Sequence, residues 1–108
     1  MNQELYKLKA QVAKALAHES RLMILDALKD QDLCVGQLTA LVKADQSTIS
    51  KHLGILKNTG IISDRRQGNK VFYHLETPCV LDFFNCALEV VQRKSAGVQE
   101  ILLPVSRS

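Results

Sequence analysis

Apolar residues recur at steps of three and four through the first third of the chain. Leu5, Leu8, Val12, Ala15 and Leu16 make one helical stripe; Leu22, Leu25 and Leu28 make a second, with Ser20 placed to cap it. The polar run Asp30-Gln31-Asp32 separates these from a short third helix, Val35 to Val42, in which Leu38 and Leu41 are expected to face inward. A fourth helix starts at Asp45 or Gln46 and runs to about Asn58 on a stripe of Ile49, Leu53 and Leu56. Gly60 follows it, where a left-handed glycine commonly ends a helix. The period then changes. Ile61 and Ile62 open a β-run that reaches Asp64-Arg65-Arg66, and Gln67-Gly68-Asn69 is a turn signal. Lys70 to Leu75 returns with Val71, Tyr73 and Leu75 on one face and Phe72 and His74 on the other, His74 being expected to be packed. Thr77-Pro78 starts a last helix that runs to about Lys94. Its Val80, Leu81, Phe83, Phe84, Ala87, Leu88, Val90 and Val91 are more apolar surface than one face of a monomer's outer helix needs.

Four helices, a hairpin and a fifth helix is the order of a winged helix-turn-helix, a mainly α fold with a small β-hairpin (α+β). It predicts a single domain over 1–108. The helix-turn-helix lies at about 35–59, the wing at about 61–75, the last helix at about 78–94 and a tail at 95–108. A length of 108 residues suits one core, since single domains commonly have about 100–150. With 46% hydrophobic and 23% charged residues, wholesale disorder is excluded. No apolar run approaches the roughly 18 residues of a membrane span. Met1 to Ala10 carries Glu4, Lys7 and Lys9, unlike a secretory signal, so a cytoplasmic location is expected.

Net charge is a modest +3, but its distribution is uneven. Between Lys43 and His74 stand Lys43, Lys51, Lys57, Arg65, Arg66 and Lys70 against only Asp45 and Asp64. That is the electrostatic footprint of a polyanion partner, here double-stranded DNA. On the fourth helix, Gln46, Ser47, Thr48 and Ser50 suit base edges in the major groove, with Lys51, His52 and Lys57 nearer the phosphates. From the wing, Arg65, Arg66 and Lys70 suit phosphate or minor-groove contact. His18, before the second helix, suits a surface or capping role. An enzyme is not expected: the chain has no Cys-x-x-Cys, no glycine-rich phosphate loop and no acid/base pair beside a histidine.

The stretches LAHESRLMILDAL, DLCVGQL, QSTISKHLGILKNTGII and DRRQGNKVFYHL, in that order and spacing, resemble the ArsR/SmtB family of metal- and metalloid-responsive winged-helix repressors. The resemblance runs from about Val12 to Val91. It implies a homodimer built by the first and last helices, two recognition helices about 10 base pairs apart, and an inverted-repeat operator. It also implies release of DNA when an inducer binds, with no obligatory cofactor.

Cys34, Cys79 and Cys86 are the soft ligands available, and thiolates suit arsenic(III), antimony(III) or a soft divalent metal. Their placement departs from the family's known sites. The arsenic-type Cys-Val-Cys reads Cys34-Val35-Gly36, and Thr39 stands where some members have a further ligand. The N-terminal arm holds no cysteine. The zinc site expected on the last helix meets Thr77, Cys79, Val90 and Arg93, and the reactive-sulfur pairing meets Asp26. Cys79 and Cys86 are seven residues apart, a helical rise of roughly 10.5 Å, so one straight helix cannot bring both to one ion. Each cysteine also fits the alternative of a buried small hydrophobe, Cys86 best of the three. A thiol-redox or reactive-sulfur sensor of the same fold, and a ligand-independent regulator, remain as alternatives.

Overall fold

The computed structural model describes residues 1–95; the tail beyond, with Ile101-Leu102-Leu103, lies outside the described residues. Residues Met1–Thr77 form one compact unit, and the chain from Pro78 onward is a second.

In the first unit, α1 (Gln3–Leu16) opens on Asn2, whose Oδ1 accepts from the amides of Glu4 and Leu5 at 3.0 and 3.3 Å. The next helix, α2 (Glu19–Ala27), is capped by His18 and not by Ser20. His18 has extended backbone, and its Nδ1 accepts from the Ser20 amide at 3.0 Å. The capping role expected of His18 holds, and the helix begins a residue before Ser20. A two-residue strand, β1 (Leu33–Cys34), follows; it is too short for any hydrophobic pattern to announce it. Helix α3 (Val35–Val42) buries Leu38 and Val42, four residues apart on one face. Leu41, expected inside, lies on the rim of that face and is 57% exposed.

The turn between α3 and α4 passes through Lys43 in left-handed conformation (φ 59°). Helix α4 (Gln46–Thr59) begins at Asp45, whose Oδ1 accepts from the Thr48 amide at 2.7 Å, and ends at Gly60 with φ 89°. Strands β2 (Ile62–Gln67) and β3 (Lys70–Leu75) pair antiparallel from Ile62 opposite Leu75 to Gln67 opposite Lys70. Their two-residue loop has positive φ at Gly68 but not at Asn69, the signature of a type II′ turn. β1 pairs with the other edge of β3, Leu33 opposite Tyr73 and Cys34 opposite Phe72, so the expected hairpin is a three-stranded sheet in the order β1-β3-β2. The core unites Ile24 and Leu25 of α2, Leu38 of α3, Ile49, Leu53 and Leu56 of α4 and Ile62 of β2, all fully buried. Each such side chain contributes about 1.5–3 kcal/mol of burial.

The second unit is α5 (Cys79–Lys94). Pro78 precedes it in helical conformation. The Thr77 hydroxyl does not cap it: that oxygen is buried with no hydrogen-bond partner. No residue of α5 is buried, and Phe83, Leu88, Val90 and Val91 are 64, 41, 54 and 58% exposed. On α1 the outer part of the apolar stripe, Leu5, Leu8 and Val12, is likewise exposed.

Candidate nucleic-acid interface

Helix α4 divides its residues sharply. Ile49, His52, Leu53 and Leu56 are buried. Gln46, Ser47, Thr48, Ser50, Lys51, Gly54, Lys57 and Asn58 are exposed. Ser47, Ser50, Lys51, Gly54 and Asn58 fall at helical steps of three and four, so they share the outward face. The first turn of that face is fixed by Asp45. Besides capping, its carboxylate accepts from the Ser47 hydroxyl at 3.0 Å. The Thr48 hydrogen bonds first, then that of Ser47, hold the Asp45 carboxyl below the usual carboxylate range. Short polar side chains at a helix N-terminus, with exposed amides and positive dipole, suit a groove lined by acceptors and phosphates.

His52 requires a correction. It was expected near the DNA backbone, but it is 6% exposed and points into the protein. It stands three residues after Ile49 and four before Leu56, which puts it on the core side of α4. Its Nδ1 accepts from Arg21 Nε at 3.0 Å, and its ring meets that of His18 at 4.4 Å. Burial, first, and then the nearby charges of His18, Arg21 and Lys51 push its pKa down.

The basic side chains also separate. Lys57 is exposed but lies 2.9 Å from Asp64 across the α4–β2 contact, which raises its pKa. Arg65 pairs with Asp32, reaches Gln67 Oε1 at 3.4 Å and stands over the Phe72 ring at 5.4 Å. Successive strand residues point to opposite faces, so Arg66 is turned the other way from Arg65. Arg66 and Lys70 are exposed on either side of the Gly68–Asn69 loop. Lys57 and Arg65, expected at the phosphates, thus already serve ion pairs that hold the wing.

Asp32 is the residue that sequence reasoning passed over as part of a polar break. One of its oxygens takes Arg65, and the other lies 2.8 Å from His74 Nδ1. The His74 hydrogen bond above all, with the Arg65 hydrogen bond and the charges of both, holds Asp32 below the usual carboxylate range against the opposing effect of burial. His74, expected to be packed, is exposed. It follows Tyr73 on β3, and the alternation that turns Leu75 into the core turns His74 to the surface of the sheet.

The cysteines are not core hydrophobes within this chain. Cys34 is half-buried at the junction of β1 and α3, and its amide donates to Gln37 Oε1 at 3.0 Å. Cys79, the first residue of α5, and Cys86, two turns on, are exposed. Among the described residues no three His, Cys, Asp or Glu side chains gather into a metal-binding group.

A short helix, a tight turn, a helix with a polar outer face and a basic two-stranded wing define a winged helix-turn-helix DNA-binding domain. Residues 18–64 match the model of the arsR family of bacterial regulatory proteins. The regulator Rv0081 of Mycobacterium tuberculosis is 37% identical over 93 residues, 85% of this chain and 82% of that one. Its crystal structure superposes with a TM-score of 0.73 at 36% identity, covering 86% of this chain and 94% of the other. The transcriptional repressor SdpR of Bacillus subtilis is 35% identical over 76% of this chain and 91% of its own. The homodimeric winged helix-turn-helix DNA-binding domain Mb0332 of Mycobacterium bovis has a TM-score of 0.71 at 30% identity, covering 87% of this chain and 86% of that one. The chain belongs to the arsR family and is a transcription regulator, not an enzyme. No helix among the described residues is long and apolar enough to cross a membrane.

Proposed function

We propose that the protein is a cytoplasmic, homodimeric repressor that holds an inverted-repeat operator and releases it when its cysteine thiols meet an inducer. The observation that carries this reading is the exposed polar outer face of α4, together with exposed Arg66 and Lys70 on the wing and exposed Phe83, Leu88, Val90 and Val91 on α5. Gln46, Ser47, Thr48 and Ser50 read bases, and Lys51, Arg66 and Lys70 take phosphates. Lys57 and Arg65 contribute when phosphate competes with Asp64 and Asp32. Dimerisation through α1 and α5 places two such heads one DNA turn apart. The similarity to SdpR, a repressor, and to Mb0332, a homodimer, supports the sign of regulation and the assembly.

The inducer in this reading is arsenite or antimonite, or a soft divalent metal, held by Cys34, Cys79 and Cys86. Three thiolates are the donor set that trivalent arsenic prefers. Cys79 and Cys86 are too far apart along α5 to bind one ion together, so the site draws on both protomers. The exposure of Cys79 and Cys86 favours a second reading, in which thiol oxidation is the signal.

Fluorescence anisotropy on a duplex from the protein's own promoter tests all of this. Wild type should bind with a strong salt dependence. Arsenite or antimonite should weaken binding by about 5- to 150-fold, the usual allosteric range. The triple Cys→Ser protein should bind equally well and ignore the inducer. Release by oxidants alone selects the redox reading. No response to arsenite, antimonite, cadmium, lead or oxidants removes the sensing function.

A further inference from the structure

We infer that Arg21 and His52 are a positioning pair that sets the recognition helix α4 against the end of α1, and that the pair holds only while the His52 imidazole is neutral. The inference rests on the DNA-binding reading and adds a control to it.

The contact joins three helices. Arg21, on α2, donates from Nε to His52 Nδ1 on α4 at 3.0 Å. One of its terminal nitrogens, Nη1, reaches the carbonyls of Ala15 and Lys14, at the end of α1, at 3.2 and 3.4 Å. Those carbonyls belong to the last turn of a helix, where intrahelical partners run out. A guanidinium is a rigid planar fork, so fixing one arm on α1 aims the other at α4. His52 is the one buried polar residue of the described core, and Gln46 to Ser50 and Lys51 lie within two turns of it on the same helix. A shift of the ring therefore moves the reading face. Arg21 also links α1, proposed as a dimer helix, to the helix that reads DNA.

Arg21 Nε is a donor in every state, so Nδ1 of His52 must offer a lone pair. The neutral ring then carries its proton on Nε2. Adding a proton to Nδ1 sets two N–H groups against each other and leaves two cations in contact. The charges that bear on the ring are of the same sign. His18 and Arg21 face the ring from α2, and Lys51 comes from its own helix; all three are basic. α1 offers the two carbonyls that Arg21 already uses, α3 buries only Leu38 and Val42, and Asp64 of β2 is held by Lys57. Burial and these bases lower the His52 pKa in the folded protein. The stability the pair supplies is thus present above the ordinary imidazole value of about 6.5 and is lost as pH falls below it, through the folded value.

Two measurements decide it. Histidine NMR of the intact protein should show His52 as the Nε2–H tautomer, titrating below about 6.5. Arg21→Met should raise that midpoint. An Nδ1–H tautomer, or a midpoint that Arg21→Met leaves in place, overturns the pair. Anisotropy on the promoter duplex at about pH 7.5 and 5.5 reads the functional arm. Wild type, still folded by circular dichroism, should lose about two- to fivefold in affinity beyond the loss seen with His52→Asn, which keeps an acceptor and does not titrate. His74→Asn should keep the wild-type loss. Equal losses in wild type and His52→Asn overturn the control. If no duplex is bound even at pH 7.5, the DNA-binding reading fails, while the tautomer still decides the contact.

Discussion

Lys43 is the only non-glycine residue with positive φ among those described, and it sits in the turn of the helix-turn-helix. Left-handed backbone costs a side-chain-bearing residue about 1 kcal/mol. Lys43 nonetheless ends α3, its amide donating to the Thr39 carbonyl at 2.9 Å, and its cation suits the negative end of that helix. Gly54 shows the reverse arrangement, glycine in mid-helix, where an added Cβ would meet nothing within 4 Å. Gly54→Ala and Lys43→Gly should each raise unfolding stability by about 0.5–1 kcal/mol, read from urea denaturation. An unchanged midpoint would show that neither backbone preference is felt. At this scale much was legible: Asp45 caps through its carboxylate, and Gly60 and Gly68, lacking a Cβ, take positive φ. His52 was not, because one polar residue in a helical stripe reads equally as core or surface until its partner is known.

At the scale of the element, two carboxylates tie the wing to the rest of its unit. Asp32 ties Arg65 of β2 and His74 of β3 to the segment leading into β1, while Lys57 ties β2 to α4 through Asp64. Asp32→Ala should therefore increase amide hydrogen exchange across β2 and β3 and leave α4 protected. The folded pKa of Asp32 is depressed, so its contribution is complete above the ordinary carboxylate value. It is lost as pH falls through the folded one. The two wing arginines should part company in DNA binding. Arg66→Ala should lower the slope of log affinity against log salt by about one, the signature of one lost phosphate contact. Arg65→Ala should chiefly loosen the wing. Equal effects of the two on the salt slope would refute the division of roles. The strands and their loop were legible from alternation and Gly68; β1 was not, since two residues carry no period.

On the scale of the whole molecule, Phe83, Leu88, Val90 and Val91 of α5 and Leu5, Leu8 and Val12 of α1 are exposed among the described residues. A large exposed apolar surface marks an interface. Val91→Glu or Phe83→Glu should convert the proposed dimer to a monomer in sedimentation experiments. DNA affinity should fall by about 100-fold or more, because the two half-sites would no longer be bound as one. A dimer that survives both changes would place the interface elsewhere.

What the sequence by itself determined is local: the order of the helices and the hairpin, most of their turns, the polar outer face of α4, and a surplus of apolar surface at both ends. These follow from contacts between residues a few positions apart, governed by helical and strand periods. What only the tertiary structure decided is which polar groups remain free for a partner. Arg21 meets His52 across 31 positions, and Asp32 meets Arg65 across 33 and His74 across 42. Such pairings arise when packing brings distant elements together. They buried His52, one expected DNA contact, against Arg21 and paired two others, Lys57 and Arg65, with Asp64 and Asp32, while Lys51, Arg66 and Lys70 are exposed.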